Sequence, residues 1–490
     1  MIMNRKKSNI IYLVLLSGVL LLLTARCSKL TEKPTDFVGP DNFYNTPDQI
    51  ESAFTASMDV LYGGWTFYDW YNYPQVFGND DQVYGGDLVI GDDFGTDCWT
   101  KHYRAIADLN PAIKALVDGK LSTTSQEEQD VLMAQAKFLR AWNYFMLVRY
   151  YGDVPLITET SDVTSTEITR APTAEVYNLI VNDLIFATQK LPPAWDADKR
   201  ARPAMDAAKT LLAKVYITMA GYPTNDPTNY VKARDMAKQV IDGGRYALVP
   251  NVEDVFKMEN EYAGEFMWSF HNSQEEYVIE PQIYLPGEMA GGWGDVTCES
   301  IWGEAFPEEP RKTAYLLLDD PWFETGTTYK DWWKSAPYIR KYLYDTPDNM
   351  VKNVSYQSMP ILRYADALLL FAEAENQANG GPTQAAVDAV NQIVNRATGG
   401  VPNPEDPLFT TSMSKQEFDD AIIQQRSWEL CFEYDRWFDI QRKRILYEVT
   451  DPIYQQNFQE TDYLLPIPPK DLRLNKNLTQ NPGYNNPNGK

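Results

Sequence analysis

The chain has 490 residues, 44% hydrophobic and 23% charged, and its 44 Lys+Arg against 68 Asp+Glu leave a formal charge of −24. That composition is globular, and the length suits roughly three domains of ~150 residues or one large superhelical unit. The acid excess excludes nucleic acid as a default partner, because a polyphosphate backbone demands dense Lys and Arg. With only His102 and His271 present, a His-based zinc site or a two-histidine helix motif has nowhere to form. No G-x-S-x-G turn accompanies either histidine, and Cys27, Cys98, Cys298 and Cys431 lack metal-type spacing. Aromatic residues are 13% of the chain, a share too large to ignore.

Residues 1–26 carry a basic start, Arg5, Lys6 and Lys7, and an apolar run over 10–23. That run is shorter than the ~20 residues a bilayer span needs and suits a signal-peptide core. The residues that follow, Thr24-Ala25-Arg26-Cys27, resemble a bacterial lipoprotein box, in which the cysteine is acylated and becomes the mature N-terminus. Arg26 departs from that pattern, and an ordinary cleaved signal or an uncleaved anchor is the alternative. Removing 1–26 deletes four basic residues and no acidic one, so the mature chain is more acidic still. The remaining three cysteines permit at most one disulfide.

A Pro/Thr/Asp-rich lead-in over 30–47 precedes a helix expected near 50–62. The burst from Trp65 to Pro74 has neither helical nor strand periodicity and reads as a loop. Three stretches, 136–145, 207–216 and 363–374, place apolar residues on one helical face. Each is followed by a break and a second amphipathic stretch, at 174–190, 229–241 and 383–397. Small residues at helix crossings with large ones between them are the pattern of stacked hairpins such as tetratricopeptide repeats; a bundle without superhelical stacking is the alternative. Between the second and third hairpins, residues 250–355 include a weakly alternating strand at 264–270 and the Gly/Pro/Trp-rich stretch from Pro286 to Asp295. Loops on rigid supports carry function, so binding is sought there. The expected organisation is a signal peptide at 1–26, an N-terminal part at 27–250, an irregular insertion at 251–355 and C-terminal hairpins at 356–490.

Five blocks in order resemble the SusD/RagB family of Bacteroidetes outer-membrane lipoproteins. Gln135 to Tyr144 with Tyr150 to Leu156 is similar to the family's "A-x-FLRA…YGDVPL", and Arg170 to Pro192 is similar to "R-x-P…I-x-x-DL…LP". Arg426 to Ile440 resembles "ER-x-x-EL-x-FEG-x-R-x-x-DL". Tyr463 to Pro468 and Gln480 to Tyr484 follow in the family's order. Gln425 and Tyr434 stand where the family usually has Glu and Gly, and Ser28-Lys29-Leu30 replaces the acidic residues common after its lipidated cysteine. The resemblance implies a mainly α fold: degenerate tetratricopeptide-like hairpins in a right-handed superhelix, with a long irregular, partly β insertion carrying the binding loops. It further implies a non-catalytic, cell-surface protein of the outer membrane, anchored through lipid on Cys27, that captures oligosaccharides or polysaccharides. Its partner would be a SusC-like TonB-dependent transporter. Capture of peptides, as in the RagB branch, is the alternative. The blocks themselves read as scaffold. Glu429, Glu433, Arg436 and Asp439 fall at i, i+4, i+7 and i+10, nearly one helix face. With Arg140 and Arg426 they are expected to form partly buried ion pairs that lock hairpins together.

A sugar ring offers an axial C–H face that indole and phenol rings cover, and equatorial hydroxyls that Asp, Asn and Arg bind; flat aromatics lose little entropy on doing so. The cluster Trp65, Trp70, Tyr71 and Tyr73 lies beside Asp80 and Asp81, and the family resemblance puts this early loop at its glycan site. The same resemblance places a second aromatic contact at Trp293, beside Asp295. These eight residues are the expected ligand contacts, with Trp302, Trp332 and Trp333 as further candidates. Trp99, Trp142, Trp268, Trp428 and Trp437 read as structural. Glycosidases need two carboxylates ~5–10 Å apart across a substrate. Adjacent pairs such as Asp80/Asp81 or Asp92/Asp93 rarely face one another in that way, so hydrolysis is the lesser reading. No cofactor is expected. The acidic loop at 91–97 leaves a structural Ca2+ open, although EF-hand spacing is absent.

Overall fold

The structure, a computed structural model, describes residues 43–62, the backbone of 82–84, 95–449 and 459–487, apart from 163, 166, 198, 263 and 273–278. Helix α1 (Pro47–Asp59) starts where Thr46 accepts from the Gln49 amide and Pro47 supplies a preset φ, and it buries Ile50, Ala53, Phe54 and Ser57 on one face. Helices α2 (Thr96–Val117), α3 (Gln126–Tyr151), α4 (Thr173–Lys190), α5 (Met205–Ala220) and α6 (Asn229–Gly243) follow. Each packs on the next in the chain. Helix α3 is the central rod: capped by Ser125, it is enclosed almost all round from Leu132 to Tyr151, which a single apolar stripe would not predict.

The third hairpin pairs α7 (Tyr364–Asn379) with α8 (Gln384–Ala397), and α7 also packs on α6 and on α9 (Lys415–Glu429), so the helices form one continuous stack. This is the expected helical-hairpin architecture. Between α6 and α7 runs a segment of short strands. Strand β2 (Phe266–Phe270) pairs antiparallel with β6 (Met359–Arg363) through a bulge. Strands β1 (Gln82–Tyr84), β3 (Val296–Cys298), β5 (Tyr338–Ile339) and β4 (Leu316–Leu317) form a second antiparallel sheet in the order β1-β3-β5-β4. The strand expected at 264–270 is therefore present, and its partner comes from the far end of the same segment. Cys98, Cys298 and Cys431 are buried free thiols.

Charged residues of the family blocks lie inside the stack. The Glu429 carboxylate receives Arg363 at 2.7 Å, Arg396 at 2.6 Å and Arg311 at 3.3 Å, with the Tyr315 hydroxyl at 3.1 Å. Burial alone would raise its pKa, but the guanidinium groups of Arg396, Arg363 and Arg311 outweigh it and hold the carboxyl far below the usual range. Arg140 is bound by Asp183 and Glu159, and Arg426 by Asp366 and Asp439. Of the expected set Arg426 pairs with Asp439, whereas Arg140, Glu429 and Glu433 take their partners from outside it, and these pairs are more deeply buried than the expectation of partial burial.

The expectation that Glu429 to Asp439 share one helix face is corrected. Helix α9 ends at Glu429, Phe432 and Tyr434 take left-handed φ of 62° and 63°, and a new helix, α10 (Arg436–Lys443), begins. The Glu429 carbonyl accepts from Lys341 Nζ at 2.9 Å and Arg363 at 2.6 Å, while the Glu433 amide turns to the Leu430 carbonyl. Two cations have taken the acceptor that helix continuation requires. A left-handed φ at position 434 is one that glycine adopts at no steric cost, in keeping with the glycine of the motif this block resembles. Here Tyr434 stacks on Tyr342, and its hydroxyl lies 2.8 Å from that of Tyr284.

Candidate functional site

Trp65, Trp70, Tyr71, Tyr73, Asp80, Asp81 and Cys27 lie outside the described residues, as does the acidic loop up to residue 94. Trp293 and Asp295 can be placed, and both lie in the loop that leads into β3. Antiparallel pairing of Thr297 with Tyr338 ties β3 to β5, and with them the loops that precede each strand. The first loop folds back on itself: the Trp293 amide donates to Gln282 O at 2.7 Å and the Gly294 amide to Leu285 O at 2.9 Å. Two glycines make this possible. A Cβ at position 292 would sit 2.4 Å from the Leu285 carbonyl oxygen, and at 294, where φ is +64°, 2.9 Å from the Tyr338 hydroxyl.

Trp293 is only partly exposed and packs against the core. The neighbouring loop supplies the exposed ring. Trp333 is 72% exposed, whereas Trp332 beside it is 1% exposed, its indole N–H donating to Thr327 Oγ1 at 2.9 Å and its ring set edge-on to Tyr338. Trp302 is likewise enclosed, donating to Ser427 Oγ at 2.8 Å between Phe306 and Phe432. Of the three further tryptophan candidates, two are therefore corrected to core, and only Trp333 stands in solvent. Trp99, Trp142, Trp268 and Trp437 are buried, as their reading requires.

Polar groups surround the exposed indole. Glu288 accepts from the Trp333 amide at 3.1 Å, and Lys334 Nζ donates to the Asp295 carbonyl at 2.8 Å while lying 5.3 Å from the Trp333 ring centroid. Burial raises the Asp295 pKa, with the Lys334 charge opposing; burial lowers that of Lys334, with Asp295 opposing. Beneath them the Tyr338 hydroxyl is buried without a hydrogen-bond partner. A neighbouring turn, capped by Asp320 accepting from the amides of Trp322, Phe323 and Thr325, brings the partly exposed rings of Trp322 and Phe323 to 6.3 Å centroid separation. Glu288 and Lys334 were not legible as site residues. Their place follows from the β3–β5 pairing, and the only sequence signal is that each sits next to or near a tryptophan-bearing loop. Among the described residues no group of three or more His, Cys, Asp or Glu side chains could hold a metal ion.

A family model described as "SusD family" matches residues 324–484, and a second, "Starch-binding associating with outer membrane", matches 66–217; together they span more than half of the chain. "SusD-like protein P2" of Formosa agariphila is 29% identical over 520 residues, covering 95% of this chain and 98% of that protein. "SusD-like protein P25" of the same organism is 24% identical, covering 93% and 95%. The crystal structure of a SusD superfamily protein from Parabacteroides distasonis superposes with a TM-score of 0.75 at 27% identity, over 89% of this chain and 99% of that one.

Proposed function

Because the chain belongs to the SusD/RagB family, we propose that it is a non-catalytic, lipid-anchored protein of the outer-membrane surface that captures oligosaccharides and passes them to a SusC-like TonB-dependent transporter. The observation that carries the reading is the Trp333 indole, 72% exposed in the turn before β5, with Glu288 and Lys334 against it and Asp295 held by Lys334. A pyranose ring fits it: its axial face lies on the indole while its hydroxyls reach the charged groups. The description of the second family model, which names starch binding and the outer membrane, supports the same ligand class and location.

Capture requires no chemistry. Holding glycan at a pore mouth raises its local concentration, and the transporter supplies the energy. Acylation of Cys27, which follows the apolar run at 10–23, is the attachment proposed. The test is isothermal calorimetry and affinity gels with plant, host and fungal glycans and a control peptide set, together with analysis of products. Binding of at least one glycan, weakened in Trp333→Ala and without chain shortening, is expected. Shortened glycans, or binding of the peptides alone, refute the proposal. Copurification from detergent with a large β-barrel tests the transporter step, and mass spectrometry of the mature N-terminus tests the lipid.

A further inference from the structure

The loop between α8 and α9 is exposed along most of its length; from 399 to 412 only Asp406 and Phe409 are buried. Phe409 is clamped by Asn391, whose side chain accepts from the Phe409 amide at 2.8 Å and donates to its carbonyl at 2.9 Å. Before that clamp, Asp406 is the anchor that reaches the interior, while Glu405 and Asn403 add only exposed bonds to Glu308. Asp406 Oδ2 accepts from Arg311 at 3.0 Å, and Oδ1 accepts from Gln425 Nε2 on α9. Glu309, which immediately precedes the short helix Pro310–Tyr315, accepts from Arg311 Nε at 2.7 Å.

This corner of the interior holds more carboxyl groups than cations. The side chains of Glu309 and Asp406 are each 1% exposed and that of Arg311 is 0% exposed. Among the described residues Arg311 is the only cation within ion-pair distance of either, and it also meets Glu429 at 3.3 Å. Arg363 and Arg396 are engaged by Glu429 and Glu265, Lys341 by Glu433, and Lys312 by Glu308. Two carboxylates on one buried guanidinium would leave an unpaired charge in the interior. The two carboxyl groups are moreover hydrogen-bonded to one another, which requires a proton on one of them. Asp406 already has a donor on each oxygen, so the proton sits on Glu309. Burial, opposed by Arg311 and reinforced by Asp406, pushes the Glu309 carboxyl up from an ordinary 4.5 to about 7.

We infer that a proton shared between Glu309 and Asp406 latches the α8–α9 loop, and that its loss to solvent above neutral pH lets residues 399–408 detach from the frame. Deprotonation leaves two adjacent anions on one cation. Asp406 reaches water by the smaller movement, because the rest of its loop is already exposed. The folded value lies above the unfolded one, so the latch contributes fully below ~4.5 and is lost as pH rises through ~7.

Hydrogen exchange with mass spectrometry on the mature chain tests this, reading the opening of residues 399–408 at about pH 5.5 and about pH 8.5 after correction for the intrinsic rate. A carboxyl moved from 4.5 to about 7 shifts the opening equilibrium by about 30-fold over that interval, and wild type is expected to show at least about tenfold. Glu309→Gln fixes the protonated state, its amide donating to Asp406 and its carbonyl accepting from Arg311. Asp406→Asn leaves one carboxylate for one cation. Both variants are expected to open to the same extent at the two pH values, within about twofold. Opening in wild type that does not change with pH, a rise of the same size in the variants, or a rise shared equally by peptides of α3 overturns the inference. Should neither variant fold, infrared difference spectra of wild type decide: a buried carboxylic-acid C=O band lost across the interval supports the shared proton, and its absence overturns it.

Discussion

Trp332 and Trp333 are neighbours in sequence with opposite environments, 1% and 72% exposed, so truncating each to alanine separates packing from recognition. A pyranose laid on one face of the Trp333 indole covers about 100 Å2, roughly half of what a fully buried aromatic side chain hides. At ~25 cal/mol/Å2 that contact is worth about 2.5 kcal/mol. The Lys334 ammonium, 5.3 Å from the ring centroid, already occupies part of the ring's surroundings. Trp333→Ala is therefore expected to cost about 1–2.5 kcal/mol of binding, or about 5- to 70-fold in Kd, with folding stability changed by less than ~0.5 kcal/mol. Trp332→Ala leaves a cavity under the loop and removes the indole bond to Thr327, and should cost about 3–5 kcal/mol of stability. Calorimetric titration with a glycan that the wild type binds, paired with scanning calorimetry of both variants, reads the two quantities separately. The reasoning fails if Trp333→Ala binds as tightly as wild type, or if the two substitutions destabilise the fold equally.

Glu429→Gln leaves Arg311, Arg363 and Arg396 with an uncompensated buried charge and should lower the unfolding free energy by about 3–5 kcal/mol; a urea titration showing less than ~1 kcal/mol contradicts the network's role. Glu373 is buried, which would raise its pKa, yet Arg442 and Lys443 bring it down to about 2 from an ordinary 4.5. Its folded pKa is depressed, so its contribution is complete above ~4.5 and lost as pH falls toward ~2. Between those limits Glu373→Gln should show a shallower fall of stability with acid than wild type, and an unchanged slope refutes the assignment. Cys98, Cys298 and Cys431 are buried, and burial pushes the Cys98 thiol up. Peptide mapping after exposure to a thiol reagent should find all three unlabelled in the folded protein and labelled in denaturant.

Helices with long apolar stripes were legible from periodicity alone. The expected stretches at 174–190, 229–241 and 383–397 fall on α4, α6 and α8 with ends displaced by no more than two residues. What periodicity could not reveal was the break after Glu429, because the acceptor that ends α9 is claimed by Lys341 and Arg363, far away in sequence. Residue type did not separate Trp332 from Trp333 either. Their burial is decided by Thr327, which holds one indole N–H, and by Tyr338, which closes over that ring. Strands of two or three residues, such as β4 and β5, carry too little alternation to announce themselves, yet their pairing is what sets Asp295 beside Lys334.

The arginine and lysine side chains that surround Glu429 and Glu433 come from positions 311, 341, 363 and 396, all earlier in the chain. A nascent polypeptide that has not yet reached residue 429 offers Arg363 and Arg396 only Glu265, and offers Lys341 neither of the late carboxylates. Closure of the frame therefore waits for the last helices to be synthesised.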